Sequence, residues 1–117
     1  MTRAIPLTAH AAVEMVAAPA LMAAPFLLGF SPVPAALTVG IGVVLLSLAL
    51  EAANPGGTVP LSAHAGFDYA IAAVALVAGI AIGASGGGAV EMIFLVGVGV
   101  AQAVLTASTR FSAPLRA

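Results

Sequence analysis

Four stretches of this chain are each long and apolar enough to cross a lipid bilayer, and only short breaks separate them. They cover 11–30, 34–50, 65–83 and 89–107. A helix rises 1.5 Å per residue, so about 20 residues span roughly 30 Å of hydrocarbon. The breaks are chemically distinct. Ser31-Pro32-Val33-Pro34 sets prolines where a helix would continue, and Asn54-Pro55-Gly56-Gly57 and Ser85-Gly86-Gly87-Gly88 are turn clusters. Lipid offers no water to satisfy open backbone groups, which makes helices the expected spanning form, and no segment alternates as a transmembrane β-strand would. The first apolar run reads as a span and not as a cleaved leader, because it continues to Phe30 and carries Glu14.

Charge agrees with this assignment. Charged residues make up 6% of the 117 residues, against roughly 25% in soluble domains. That inventory cannot clothe a water-facing surface. The three arginines form no basic patch, so nucleic acid is not an expected partner. The absence of Cys removes disulfides, thiolate metal sites and thiol nucleophiles. Arg3, Arg110 and Arg116 all lie near the termini, and the turns at 31–34 and 84–88 carry no cation. The positive-inside rule then places both termini in the cytoplasm, and the Ala, Gly and Val richness without Lys points to a bacterial inner membrane. Phe30, Phe67, Tyr69 and Phe111 are the expected interfacial aromatics in a chain without Trp.

The chain repeats itself. Pro6-Leu7-Thr8-Ala9-His10 returns as Pro60-Leu61-Ser62-Ala63-His64, an offset of 54 residues, and at that offset Glu14 meets Asp68 and Gly29 meets Gly83. Gly40-Ile41-Gly42-Val43 matches Gly97-Val98-Gly99-Val100 at an offset of 57, with the three extra residues falling in the 86–88 turn. The expected fold is therefore an all-α membrane protein of four transmembrane helices, built as two parallel helix-hairpin repeats. The first repeat is 1–53 and the second 54–117, the latter with a short C-terminal tail. Two spans make up each copy, so the copies share an orientation and an axis along the membrane normal relates them. Thr8 and Ser62 are the expected N-caps of the first and third helices.

The run from Val13-Glu14-Met15 to Ala24-Pro25-Phe26-Leu27-Leu28-Gly29-Phe30 resembles the SPW-repeat membrane proteins of bacteria. Their unit carries an acid early in its first helix, then Ser-Pro-Trp about ten residues on, then a second apolar helix. Glu14 stands at the acidic position and Ala24-Pro25-Phe26 at the tripeptide. In the second copy Asp68 keeps the acid, while Ala78-Gly79-Ile80 departs from the tripeptide. The resemblance implies a bacterial two-repeat membrane protein and no particular mechanism.

His10/Glu14 and His64/Asp68 are both spaced i, i+4, which sets each pair on one helix face. Duplication yields four ionisable groups that could face one another across the repeat axis. One chemistry open to them is proton or ion transfer, since acids within spans often mark ion paths. Another is ligation of haem, chlorin or a transition metal by the histidines. The plainer account is anchoring in the headgroup layer, helped by about 0.3–1 kcal/mol from the helix dipole. The chain has no His-Glu-x-x-His motif, and neither a metal nor a cofactor is assigned to it. Glu51 and Glu91, at span ends, are expected to reach water, and Gln102 to bond a neighbouring helix. Gly79-x-x-x-Gly83, Gly97 and Gly99 are expected helix-packing positions. Pro19 and Pro25 are expected to kink the first span.

No catalytic constellation can be assembled from these residues. The leading expectation is a non-catalytic membrane protein that acts by helix packing, as a homo-oligomer or an accessory subunit of a larger complex. A small transporter or proton- or ion-conducting protein using the His/acid pairs is the alternative, and haem or chlorin binding a weaker one.

Overall fold

A computed structural model describes residues 3–111. Four helices dominate it: α1 (Leu7–Leu28), α2 (Pro32–Ala53), α3 (Leu61–Ala84) and α4 (Ala89–Ala107). At 19 residues or more, each is about 28 Å long or longer, and all four are apolar enough to cross a membrane. The all-α architecture expected from the apolar runs is the one observed. Arg116 and the tail beyond residue 111 lie outside the described residues.

Helices α1 and α3 both start four residues before their expected positions, directly after Pro6 and Pro60. The prolines hold extended backbone, at φ −70° and −59°, and the Pro60 carbonyl accepts from the His64 N–H at 3.0 Å. Thr8 and Ser62 therefore lie inside the first turn and are not the caps; neither helix has a side-chain cap. A hydropathy window stops at the polar Thr, Ser and His residues, whereas the backbone turns helical as soon as proline is passed. At its far end α1 closes on Gly29, whose φ of 70° suits glycine, and Phe30 N–H returns to the Pro25 carbonyl at 2.9 Å. Pro32 and Pro34 open α2, where a missing N–H costs little. Helix α1 runs unbroken through Pro19 and Pro25.

The repeat is visible in the packing. Helix α1 lies along α2 and α3 along α4, and the hairpins meet through fewer contacts. A Cβ built on Gly42 would stand 2.8 Å from Met22 Cγ and 2.9 Å from the Ala18 carbonyl. A Cβ on Gly99 would stand 2.6 Å from Leu76 Cγ and 2.9 Å from the Ala72 carbonyl. Ala18 and Met22 are the counterparts of Ala72 and Leu76 at the offset of 54, as Gly42 is of Gly99 at 57. Each hairpin is thus closed by a glycine of its second helix seated against equivalent residues of its first. Between the hairpins all four helices contribute to one core, including Leu21, Leu45, Ile71 and Leu95.

Gly79 and Gly83 also pack within the second hairpin, against Val96 and Met92. Gly97 does not: nothing lies within 4 Å of where its Cβ would be, because two residues from Gly99 along a helix is a different face. We expect Gly99→Leu to lower stability in detergent by about 1–3 kcal/mol through overpacking, and Gly97→Leu to leave the unfolding midpoint unchanged.

The distribution of polarity is inverted relative to a water-soluble bundle. Leu27 and Val33 are 83% and 78% exposed, while His10, His64 and Asp68 are fully enclosed. Lipid on the outside explains both halves of that pattern, and the protein is an integral membrane protein in contact with the bilayer. At one end of the bundle, β1 (Ile5–Pro6) pairs in parallel with β2 (Thr109–Arg110), and Ile5 N–H donates to the Ser108 carbonyl at 2.9 Å. This clasp joins the start of α1 to the end of α4 and closes the ring of helices.

Candidate functional site

The two i, i+4 pairs meet. His10 and Glu14 sit in the first two turns of α1, His64 and Asp68 in the first two turns of α3, so equal depth follows from the repeat. Their inward faces point at each other between the hairpins. His10 Nε2 lies 2.9 Å from Asp68 Oδ2 and 3.2 Å from Glu14 Oε2; His64 Nε2 lies 3.1 Å from Asp68 Oδ2 and 3.3 Å from Glu14 Oε1. Each imidazole touches both carboxylates, and none of the four residues is more than 1% exposed. Headgroup anchoring would need these groups at the perimeter. The structure places them inside because the polar face of each helix turns toward its counterpart and away from lipid.

The partners around this quartet are not symmetric. Gln102 on α4 donates from Nε2 to Glu14 Oε2 at 3.0 Å, the inter-helix bond expected of it. His10 Nδ1 lies 2.8 Å from Thr109 Oγ1, whose own hydrogen is donated to the Leu105 carbonyl at 2.6 Å. Since the hydroxyl has spent its one hydrogen, His10 Nδ1 carries the proton of that contact. On the other half, His64 Nδ1 and Asp68 Oδ1 have no hydrogen-bond partner among the described residues, nor does Thr106 Oγ1. The cause is in the sequence. At the offset of 57, Gln102 corresponds to Leu45 and Thr109 to Ala52, so α2 carries apolar side chains where α4 and β2 carry hydrogen-bonding ones. Applying the repeat to the polar residues of α4 and β2 would have found Gln102, Thr106 and Thr109 as half-specific additions. Only the first was singled out from the sequence.

Phe111 roofs the site. Its ring packs on both imidazoles, with centroids 5.1 Å from His10 and 5.7 Å from His64, and the imidazoles themselves meet edge-on at 5.6 Å. An interfacial aromatic was expected there; the terminal clasp turns the ring inward. Beside it a recess of about 440 Å³ is lined by Arg3, Ser62, Tyr69, Thr106 and Thr109. A second cleft of about 190 Å³ opens between α1 and α4 and has Glu14 and Gln102 in its wall.

The remaining acids serve the backbone. Glu91 does not simply reach water: its Oε2 accepts from Ser31 N–H at 2.9 Å and Ser31 Oγ at 2.7 Å, capping α2 from the neighbouring hairpin. Glu51 accepts from the loop N–H groups of Thr58 and Val59. Phe30 stacks edge-on against Phe94 at 5.4 Å at the same end as Glu91.

Comparison of the chain with protein-family models, with curated proteins and with solved structures finds no match.

Proposed function

We propose that this protein is a small, non-catalytic transport or ion-conducting protein of the membrane, with His10, Glu14, His64 and Asp68 as its cation-handling centre. One observation carries the proposal: four ionisable side chains are enclosed together inside a bundle whose outer surface is apolar. Each buried ion is costly, and a bundle that served only to pack would be as stable with apolar residues there. Clefts with Glu14 and Thr109 in their inner walls lead toward the quartet from the side and from the end, although both residues are themselves buried. The meeting of four ligand atoms within 4.8 Å suits a single ion.

The natural setting we propose is a bacterial inner membrane with both termini cytoplasmic, supported by Arg3 and Arg110 beside the terminal clasp. We also propose membership of the SPW-repeat family, supported by the equivalent placement of Glu14 and Asp68 in the two copies. The direct test is cation flux, protons and divalent ions separately, into liposomes containing the purified protein. The double variant Glu14→Gln, Asp68→Asn should lower flux at least tenfold; unchanged flux would refute the proposal.

A second reading, assembly through small-residue faces, is favoured by Gly40 and Gly97. They are repeat-equivalent, and open space lies over both. Gly97→Leu, which spares the fold, should then abolish cross-linked oligomers in native membranes, and retention of those oligomers would rule out that face.

A further inference from the structure

We propose that the quartet is a tetrahedral site for one divalent transition-metal ion of the zinc class, held by Nε2 of His10 and His64 and by one carboxylate oxygen each from Glu14 and Asp68. This rests on the cation-handling reading and names its ion.

Ligand spacing is the first argument. An ion bound tetrahedrally at about 2.0–2.1 Å keeps its ligand atoms roughly 3.3–3.4 Å apart. Three edges of such a cage are close to that spacing, with His10 Nε2 at 2.9 Å from Asp68 Oδ2 and 3.2 Å from Glu14 Oε2 and His64 Nε2 at 3.1 Å from Asp68 Oδ2, and all four donor groups offer an atom within 4.8 Å of the others. Asp68 Oδ2 touches both Nε2 atoms and forms a face of the cage with them, and Glu14 straddles the opposite side with its two oxygens.

Charge is the second argument. Two carboxylates with two neutral imidazoles carry two negative charges in an enclosed site, and a divalent cation brings it to neutrality by replacing the two protons that otherwise join imidazole nitrogen to carboxylate oxygen. A monovalent metal ion would leave one charge buried.

The third argument is orientation. A ligating imidazole directs one nitrogen at the metal and donates the other N–H to a fixed acceptor. His10 has the outer half of this arrangement: Nδ1 donates to Thr109, and Nε2 faces the two carboxylates, to which it gives its hydrogen until an ion takes that place. Gln102 holds the Glu14 carboxylate in the same supporting manner. The unpartnered Asp68 Oδ1, fully buried, is a separate sign that a positive group belongs here. A mixed nitrogen and oxygen set favours zinc, cobalt and their neighbours over magnesium and calcium, which prefer all-oxygen shells.

The test is to strip the full-length protein with a chelator in mild detergent and titrate it with Co2+. One Co2+ per chain should bind, with the intense visible bands of tetrahedral cobalt, and Zn2+ should displace it. The Glu14→Gln, Asp68→Asn variant should lose the bands. Thr109→Val, which keeps all four ligands and so guards against a folding defect, should weaken Co2+ binding about 10–100-fold. No stoichiometric uptake, the weak bands of six-coordinate cobalt, or bands that persist in the double variant would each overturn the site. Quartet-dependent proton flux without metal uptake overturns this inference and leaves the cation-handling reading intact. Metal uptake with flux indifferent to the variants does the reverse.

Discussion

Glu14→Leu should lower the stability of the bundle by about 3–5 kcal/mol, the largest effect expected of any single substitution in this chain. The change removes the carboxylate that contacts both imidazoles and strands the Gln102 amide in an enclosed site. The cost comes from what is left behind and not from the worth of the interactions themselves. The quadruple variant with Leu at 10, 14, 64 and 68, made in a Gln102→Leu background, removes the four ionisable groups and the amide bonded to them together and should therefore unfold near the wild-type midpoint. Denaturant titration in micelles, followed by circular dichroism, measures both. A quadruple variant as unstable as Glu14→Leu would mean that the quartet holds the fold together, and would undercut the case that its retention reflects function.

Gln102→Leu is expected to cost about 1–3 kcal/mol, because Glu14 Oε2 loses its amide donor inside the bundle. Leu45 occupies the corresponding place in the first repeat, and Asp68 lacks such a donor. Adding Leu45→Gln to the Gln102→Leu background moves the amide from one half to the other. The double variant should return to within about 1 kcal/mol of the wild type. If it stays as unstable as the single variant, the two halves are not interchangeable and the pseudo-symmetry ends at the backbone.

Much of the fold is legible in the sequence because lipid simplifies the problem. Apolar runs bounded by Pro32, Pro34, Pro55 and the glycines at 86–88 left few alternatives to four spans. The pairing of Pro6–His10 with Pro60–His64 then supplied the relation between hairpins. Helix starts were harder, since Thr8, His10, Ser62 and His64 look like loop residues until something polar is known to face them. The i, i+4 spacing showed that His10 and Glu14 share a face, but no local pattern says what that face meets. Contact between α1 and α3 is a long-range property, which the repeat made plausible and only the three-dimensional arrangement supplies. Gly97 and Gly99 make the same point on a small scale: identical residues two positions apart, one pressed against Leu76 and the other open. Thr109 went unremarked because it follows the last span, beyond where a membrane helix is expected to contribute to an interior.

The unequal partners of the quartet bear on why both hairpins are carried by one chain. A two-fold dimer of identical hairpins would present the same residue on both sides of its axis, so any gain at one side would be copied at the other. Covalent fusion lifts that restriction. Thr109 can steady His10 while Ala52 leaves His64 Nδ1 without an acceptor, and Gln102 can engage Glu14 while Leu45 leaves an oxygen of Asp68 open. One half of the centre is thereby braced more fully than the other, a division of labour closed to a two-fold dimer of identical hairpins.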